Sequence, residues 1–449
     1  MKAMKRPLYL AVRGLAWAGC MPALAEFYAS RIAAATPARF LPVKAKQALL
    51  ALNPDRFRGD LEALAETGQF RVYTFPFDWQ CRILSLYWHS LDGFSDYFVP
   101  PQESIASRVR RDLADFLRRF LPHLFKRLGA DGMISAGVHY RQDVDYGEAA
   151  ASLGYPYVVF HRENFLTNVG HVRRMATFFG GFGRFRGNLI VTHNEPARQA
   201  FIGTMAAPDQ VRALGCLRMD RYVKRVQEGH SPHRERRLVT LFSFTHFSGL
   251  YGLGNSFAEN RDKGFVRLFD HVHGTFAALA AAMPEVDFVI KPKWGGRWLD
   301  QISSSVERAG LRLKDLANLQ VTAEANAQDL ILSSDVVVSF GSTTALEAAV
   351  AGIPVIIPFY YEARNPQYSD YIHLMNDFSA FDVAQRPEEL ELLVRSRLAD
   401  PHVPKDIMTS RWELFEKYVS SSSGEATERY VDALTEIIAT ARRARRETL

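Results

Sequence analysis

The chain has 449 residues, 47% of them hydrophobic and 23% charged, with a formal net charge of +6. That length exceeds one ordinary domain, and the apolar fraction is enough to bury sizeable cores, which excludes wholesale disorder. Its three cysteines, Cys20, Cys81 and Cys216, lie far apart without CxxC spacing, which argues against a disulfide framework or a zinc site and fits a reducing compartment.

Part of the positive charge sits at the two ends, in Lys2, Lys5 and Arg6 and in Arg442, Arg443, Arg445 and Arg446. No nucleic-acid-binding module is recognisable, so phosphorylated ligands and an anionic membrane face remain as the partners of a basic chain. Residues 1–25 imitate a secretory signal, but Arg13 interrupts the apolar run and Pro22 lies within the rest. The charge-free stretch is too short to span a bilayer, which takes about 20 apolar residues. It reads either as an amphipathic segment on a membrane surface or as a plain helix packed on the protein, with a cleaved signal the weaker reading.

Residues 1–65 read as an alanine-rich helical extension. A strand-like run follows at Phe70–Phe75, then a long amphipathic helix at about 103–128, with Leu113, Phe116, Leu117, Phe120 and Leu124 at helical spacing. Strands at 133–136, 157–160 and 189–192 alternate with helices at 145–153 and from Glu195 onward. The pattern breaks over 216–236, a charged stretch with Pro232 inside it, read as a linker. A second series then begins, with strands at 238–244, 287–290, 319–322, 336–340 and 355–358 and a helix at 265–282. Short apolar strands alternating with helices imply βαβ units and parallel sheets. The expected architecture is α/β, with two Rossmann-like domains at 66–215 and 237–405 and a helical segment at 406–449.

The most informative stretch is Ser334 to Pro358. It reads as a strand, a Gly341-Ser342-Thr343-Thr344 turn, a short helix, Gly352, Pro354 and another strand. Hydroxyls and free backbone N–H groups at a helix start suit a phosphate. Thr344 and Glu347 also have capping-box spacing, so Glu347 is read either as a cap or as a ribose contact. Lys291 and Lys293, just past the strand at 287–290, are placed to neutralise phosphate. The glycine-rich loop Thr245–Gly254 allows close backbone approach, and His246 within it is either functional or a satisfied loop histidine. In the N-terminal half, His161-Arg162-Glu163-Asn164 follows a strand; Glu163 is the candidate proton carrier, or else forms a structural ion pair with Arg162 or another basic residue. Asp220 is the second acidic candidate, as a nucleophile or as a turn cap. His193-Asn194-Glu195 is a lesser candidate for acceptor contact. Asp143-Val144-Asp145 imitates a metal-binding Asp-x-Asp pair but reads as helix capping, so no metal is expected.

The segment Ser334–Pro358 resembles the nucleotide-binding motif of GT-B glycosyltransferases. It is most similar to the bacterial capsule and surface-polysaccharide group that includes Kdo transferases, polysialyltransferases and teichoic acid glycerophosphotransferases, and UDP-N-acetylglucosamine 2-epimerases share a version of it. The resemblance is strong over about 210–360 and weaker before that. Gly424-Glu425-Ala426-Thr427-Glu428-Arg429 resembles the closing segment of these enzymes, and Gly215 to Asp220 their Gly-x-x-Arg-x-Asp turn. Where that group carries a His-Pro pair, this chain has Lys291-Pro292-Lys293, which weakens assignment to the cytidine-nucleotide enzymes.

The resemblance implies a cytoplasmic, metal-independent transferase of the inner membrane face, with a nucleotide sugar as substrate and no cofactor. Ser342, Thr343, Thr344, Glu347, Lys291 and Lys293 would bind the donor (CMP-Kdo-type or a UDP-sugar) in a cleft between the domains. Glu163, Asp220 and His246 would be catalytic, and an oligosaccharide or glycolipid would be the acceptor. The rivals are a UDP-sugar 2-epimerase-like enzyme and a non-catalytic GT-B scaffold.

Overall fold

The computed structural model describes residues 6–88, 97–229, 235–250, 252–254 and 256–447. Lys2, Lys5, Tyr251 and Pro232 lie outside them. The chain forms two compact units. The first comprises 1–164, 175–220 and 423–449, and the second 165–174 and 221–422.

The first unit is built on a six-stranded sheet of β1 (Gln47–Leu52), β2 (Phe70–Phe75), β3 (Gly132–Ser135), β4 (Tyr157–Phe160), β5 (Leu189–Thr192) and β6 (Val211–Ala213). Its order is β2-β1-β3-β4-β5-β6, and every pairing is parallel. β3, β4 and β5 are buried along their whole length, as expected for strands covered by helices on both faces. The helix Ile105–Leu128 begins where the Ser104 hydroxyl accepts from the Ser107 N–H at 3.1 Å, and it ends at Gly129 in the left-handed region. The last helix, Ala426–Glu447, returns to this unit, and Tyr430, Leu434 and Ile438 join Leu49, Ile134, Val158 and Phe160 in its core.

The second sheet contains β7 (Leu238–Phe242), β8 (Asp287–Lys291), β9 (Leu319–Val321), β10 (Val336–Ser339), β11 (Val355–Pro358) and β12 (Asp382–Ala384). Its order is β12-β11-β10-β7-β8-β9, also parallel throughout. Counted from its own first strand, this is the 3-2-1-4-5-6 order of a doubly wound dinucleotide-binding sheet. The chain thus has the two-domain α/β, GT-B-like fold class expected from its sequence.

Three local expectations are corrected. Residues 1–65 are not a helical extension, because β1 lies within them and pairs with both β2 and β3. Helix Met21–Ala35 is also part of the body of the unit, with Leu24, Ala25 and Tyr28 buried and Tyr28 packed on Phe75 and Phe120. The 216–236 stretch contains a helix, Met219–Gln227. Residues 406–449 divide between the units, with helix Lys405–Tyr418 in the second and the last helix in the first.

Candidate functional site

In the second unit β7 and β10 are neighbours, while the chain runs outward through β8 and β9 on one side and β11 and β12 on the other. The order reverses between β7 and β10, and the crevice beyond the strand ends at such a point is where open α/β sheets hold ligands. The glycine-rich loop leaves β7, and the Gly-Ser-Thr-Thr turn leaves β10. Gly341 has φ +65°, and a Cβ there would lie 2.9 Å from the Ser248 Oγ. Gly249 has φ +77°, and a Cβ there would lie 2.8 Å from the Tyr371 carbonyl and 3.2 Å from the His373 ring. Ser248, Gly249, Gly341 and His373 therefore meet so closely that both glycines are sterically required.

Within the turn the hydroxyls form a chain. Ser339 Oγ and Thr344 Oγ1 are 3.0 Å apart, Thr344 Oγ1 donates to Ser342 Oγ at 3.0 Å, and the Thr344 N–H reaches the same Ser342 oxygen at 3.3 Å. Ser342, Thr343 and Thr344 remain half-buried, so part of each is open to a ligand. The capping box on Thr344 does not form. Helix Thr344–Val350 starts one residue earlier than that reading assumed, with Thr343 as its cap and no side-chain cap bond. The Thr343 hydroxyl instead donates to Glu347 Oε1 at 2.9 Å. Glu347 is buried, and its backbone carbonyl accepts from the Tyr222 hydroxyl at 2.6 Å.

His246 is buried between Phe257 and Phe269, with ring centroids 5.1 and 4.9 Å away. Its Nδ1 accepts from the Ala258 N–H at 3.1 Å, and burial pulls its pKa down to about 4. A neutral imidazole bonded in this way fastens the loop, which is the satisfied-histidine alternative of its sequence reading. Lys291 donates to the carbonyls of Pro292 (2.9 Å) and Ala323 (2.7 Å), so its ammonium ties two loops together, and burial lowers its pKa. Lys293 lies over the exposed Trp294 ring, 5.6 Å from the centroid.

Sequence reasoning missed His373. Its ring stacks on Phe165 (4.6 Å) and His171 (4.2 Å), and the neighbouring Leu374 N–H donates to the Thr167 hydroxyl at 2.9 Å. Burial holds the pKa of His373 well below the ordinary value and that of His171 at about 4. No periodicity marks this stretch; it reaches the glycine loop through contacts more than a hundred residues apart in sequence.

In the first unit the order reverses between β1 and β3. Arg56 follows β1, His139 and Tyr140 follow β3, and Glu163 follows β4. The Arg56 guanidinium lies 5.1 Å from the Tyr140 ring centroid. Glu163 follows the end of β4 and is exposed. It sits near His139, where its charge opposes the fall in the imidazole's pKa that burial causes and Arg56 reinforces. His139 Nδ1 has no hydrogen-bond partner. Arg162 does not pair with Glu163. It bonds to buried Asp60 at 3.0 Å and to the Phe57 carbonyl, and Arg218 shares the same aspartate at 3.2 Å. Of the acceptor-contact candidates, Asn194 caps helix Glu195–Phe201 by accepting from the Ala197 N–H at 3.0 Å, Glu195 pairs with Arg198, and burial keeps His193 neutral.

Asp220 is buried, and both its oxygens are taken. Oδ1 accepts from the Ala426 N–H at 3.2 Å and Oδ2 from the Thr427 N–H at 2.6 Å, so it caps the last helix. This is the last helix and not the linker turn that the sequence reading weighed, and a carboxylate held this way is a poor nucleophile. Asp143 and Asp145 do not cap helix Arg141–Ser152, whose N-terminus has no side-chain cap bond. Asp143 is fully buried without a partner on either oxygen, and burial raises its pKa well above the ordinary value. Asp145 binds Arg110 and the Tyr97 hydroxyl. Among the described residues no group of three or more His, Cys, Asp or Glu is arranged to hold a metal ion.

No protein-family model and no curated protein matches the chain. Among solved structures, UDP-GlcNAc 2-epimerase from Neisseria meningitidis bound to UDP-GlcNAc is 12% identical, with 87% of this chain and 100% of that one covered and a TM-score of 0.47. The wall teichoic acid polymerase TagF is 10% identical, with 98% and 99% covered and a TM-score of 0.49. The glycosyltransferase SnogD from Streptomyces nogalater is 16% identical, with 89% and 100% covered and a TM-score of 0.40. Likeness at this level passes none of their activities to this chain.

Proposed function

We propose that the chain is a glycosyltransferase that takes a sugar from a nucleotide-activated donor and delivers it to a surface polysaccharide or glycolipid. The observation that carries this reading is the meeting of the Ser248-Gly249 loop and the Gly341–Thr344 turn at the strand reversal of the second unit. Two glycines that admit no side chain, beside a run of half-buried hydroxyls, make a backbone cradle of the kind that accepts phosphate. Ser342, Thr343 and Thr344 would contact the donor phosphates and Lys293 would add charge, whereas Lys291 and Glu347 would hold the loops in place. Glu163 would accept the proton of the attacking acceptor hydroxyl as the new glycosidic bond forms. The bond from the anomeric carbon to phosphate breaks in the same event and the nucleotide leaves with its electron pair. No metal is required in this reading, and the work is done on the cytoplasmic face of the membrane.

The test is thermal stability against CMP, CDP, UDP, GDP and their sugar conjugates. A nucleotide at about a hundred times its Kd adds about 2.7 kcal/mol. CMP alone would select Kdo-type transfer, and UDP a hexose transferase. Turnover of a UDP-sugar without acceptor would replace the transferase reading by an epimerase. No stabilisation by any of them would replace it by a scaffold.

A further inference from the structure

The helix Arg6–Trp17 lies at the edge of the first unit and leaves one face uncovered. Val12 is fully buried, whereas Leu10 is 62% and Trp17 80% exposed, one helical turn to either side of Arg13 and Gly14. The Arg13 guanidinium lies over the Trp17 ring at 5.1 Å, and the helix contains no acidic residue. A tryptophan and a leucine facing water beside arginine, with no described side chain covering them, suit an interface that is apolar below and anionic above.

The matching charge lies on one helix of the same layer, Ile105–Leu128. Arg6–Trp17 packs on Met21–Ala35, which packs in turn on Ile105–Leu128. That long helix holds seven arginines and lysines against two aspartates. Arg118, Arg119, Lys126 and Arg127 are exposed on it, Arg118 paired with Asp115 and Arg127 with Glu26 at the surface. No helix among the described residues is long and apolar enough to cross a membrane, so contact here would be with the surface alone.

We infer that this helix layer docks on an anionic lipid bilayer, with Leu10 and Trp17 entering the headgroup boundary and the arginines meeting lipid phosphates. The inference deepens the membrane placement given above and does not depend on the nucleotide cradle, so nucleotide stabilisation and lipid binding fail separately.

The full chain would be sedimented with vesicles of phosphatidylcholine alone and of phosphatidylcholine with about one-third phosphatidylglycerol. Binding is expected only to the anionic vesicles. It should be lost as salt rises from 0.1 to 1 M, because the screening length falls from about 10 to about 3 Å. The double variant Leu10→Ala, Trp17→Ala should bind about thirty-fold more weakly or worse, given the apolar area it withdraws. Both side chains are exposed, so its melting temperature should match the parent's. Equal binding to neutral vesicles, no binding, or undiminished binding of the variant would overturn the inference. So would a concentration-dependent dimer, or duplex DNA binding without vesicle binding, if the same substitutions abolished it.

Discussion

His273 lies at the centre of the second unit's core and makes a quantitative case. It is fully buried; its Nδ1–H donates to the Phe269 carbonyl at 2.7 Å and its Nε2 accepts from the Ser243 hydroxyl at 2.8 Å. The Trp298 indole donates to the same Ser243 oxygen at 2.8 Å, so the imidazole is held in its neutral form. Burial lowers its pKa from 6.5 to about 4. The folded pKa lies below the unfolded one, so between these values the unfolded chain binds more protons. Stability is therefore lost as pH falls through that window and is unaffected well above it. By linkage the cost is negligible at pH 7 and about 2 kcal/mol at pH 5, approaching about 3 kcal/mol below pH 4. For a unit of roughly two hundred residues this lowers the melting temperature by about 4–7 °C between pH 7 and pH 5. His273→Gln keeps a donor and an acceptor but cannot titrate. Denaturant unfolding of both proteins at pH 7, 6 and 5, following the second unit's transition, should show the variant less stable at pH 7. Its loss on acidification should be smaller than the parent's by about 2 kcal/mol. Equal losses in the two proteins would show that His273 does not hold this proton linkage.

Asp220→Ala removes the cap on the last helix and should destabilise the first unit by about 1–2 kcal/mol, read by thermal unfolding, with transfer activity retained at temperatures where the unit stays folded. Arg411 is buried and donates to the carbonyls of Ala380 (2.9 Å), Ile353 (3.0 Å) and Ala349 (3.4 Å). Arg411→Met strands these acceptors and should lower the second unit's denaturant midpoint by an amount worth about 3 kcal/mol. Gly341→Ala places a Cβ 2.9 Å from Ser248 Oγ in a left-handed conformation and should cost about 1–2 kcal/mol in backbone strain. Nucleotide stabilisation should be largely lost in this variant, and an unchanged nucleotide response would remove the cradle from the proposal. Glu163→Gln should slow transfer by about 10²–10⁴-fold with nucleotide stabilisation intact, measured by product formation under saturating donor.

The strands that were legible in the sequence are those with continuous β-branched or aromatic runs, such as Tyr157–Phe160 and Val355–Pro358. β1 was hidden because Gln47-Ala-Leu-Leu-Ala-Leu52 is made of strong helix formers, and its conformation is imposed by pairing on both sides. β6 (Val211–Ala213) and β12 (Asp382–Ala384) each hold a single β-branched residue with a charged one beside it, too little for a strand pattern to register. In the site, the Gly341 turn announced itself through a glycine followed by three hydroxyl residues between two apolar strands. The role of Asp220 was ambiguous because its partners, Ala426 and Thr427, lie about two hundred residues further on. His373 carries no local signal, since what defines it is the glycine backbone it meets.

The route of the chain has a consequence for synthesis on the ribosome. The first unit's strands are all made by residue 213, yet part of its core is supplied by Tyr430, Leu434 and Ile438, and Asp220 meets the amides it caps only when residues 426 and 427 emerge. Until then Leu49, Ile134 and Phe160 lack their cover while the whole second unit is translated. At about 5–20 residues per second, that leaves an unfinished apolar surface for at least about ten seconds. The second unit, whose sheet is complete by residue 384, can fold while the first is still waiting. The N-terminal half of this protein is thus the last to be finished, and chaperone dependence during expression should fall on it.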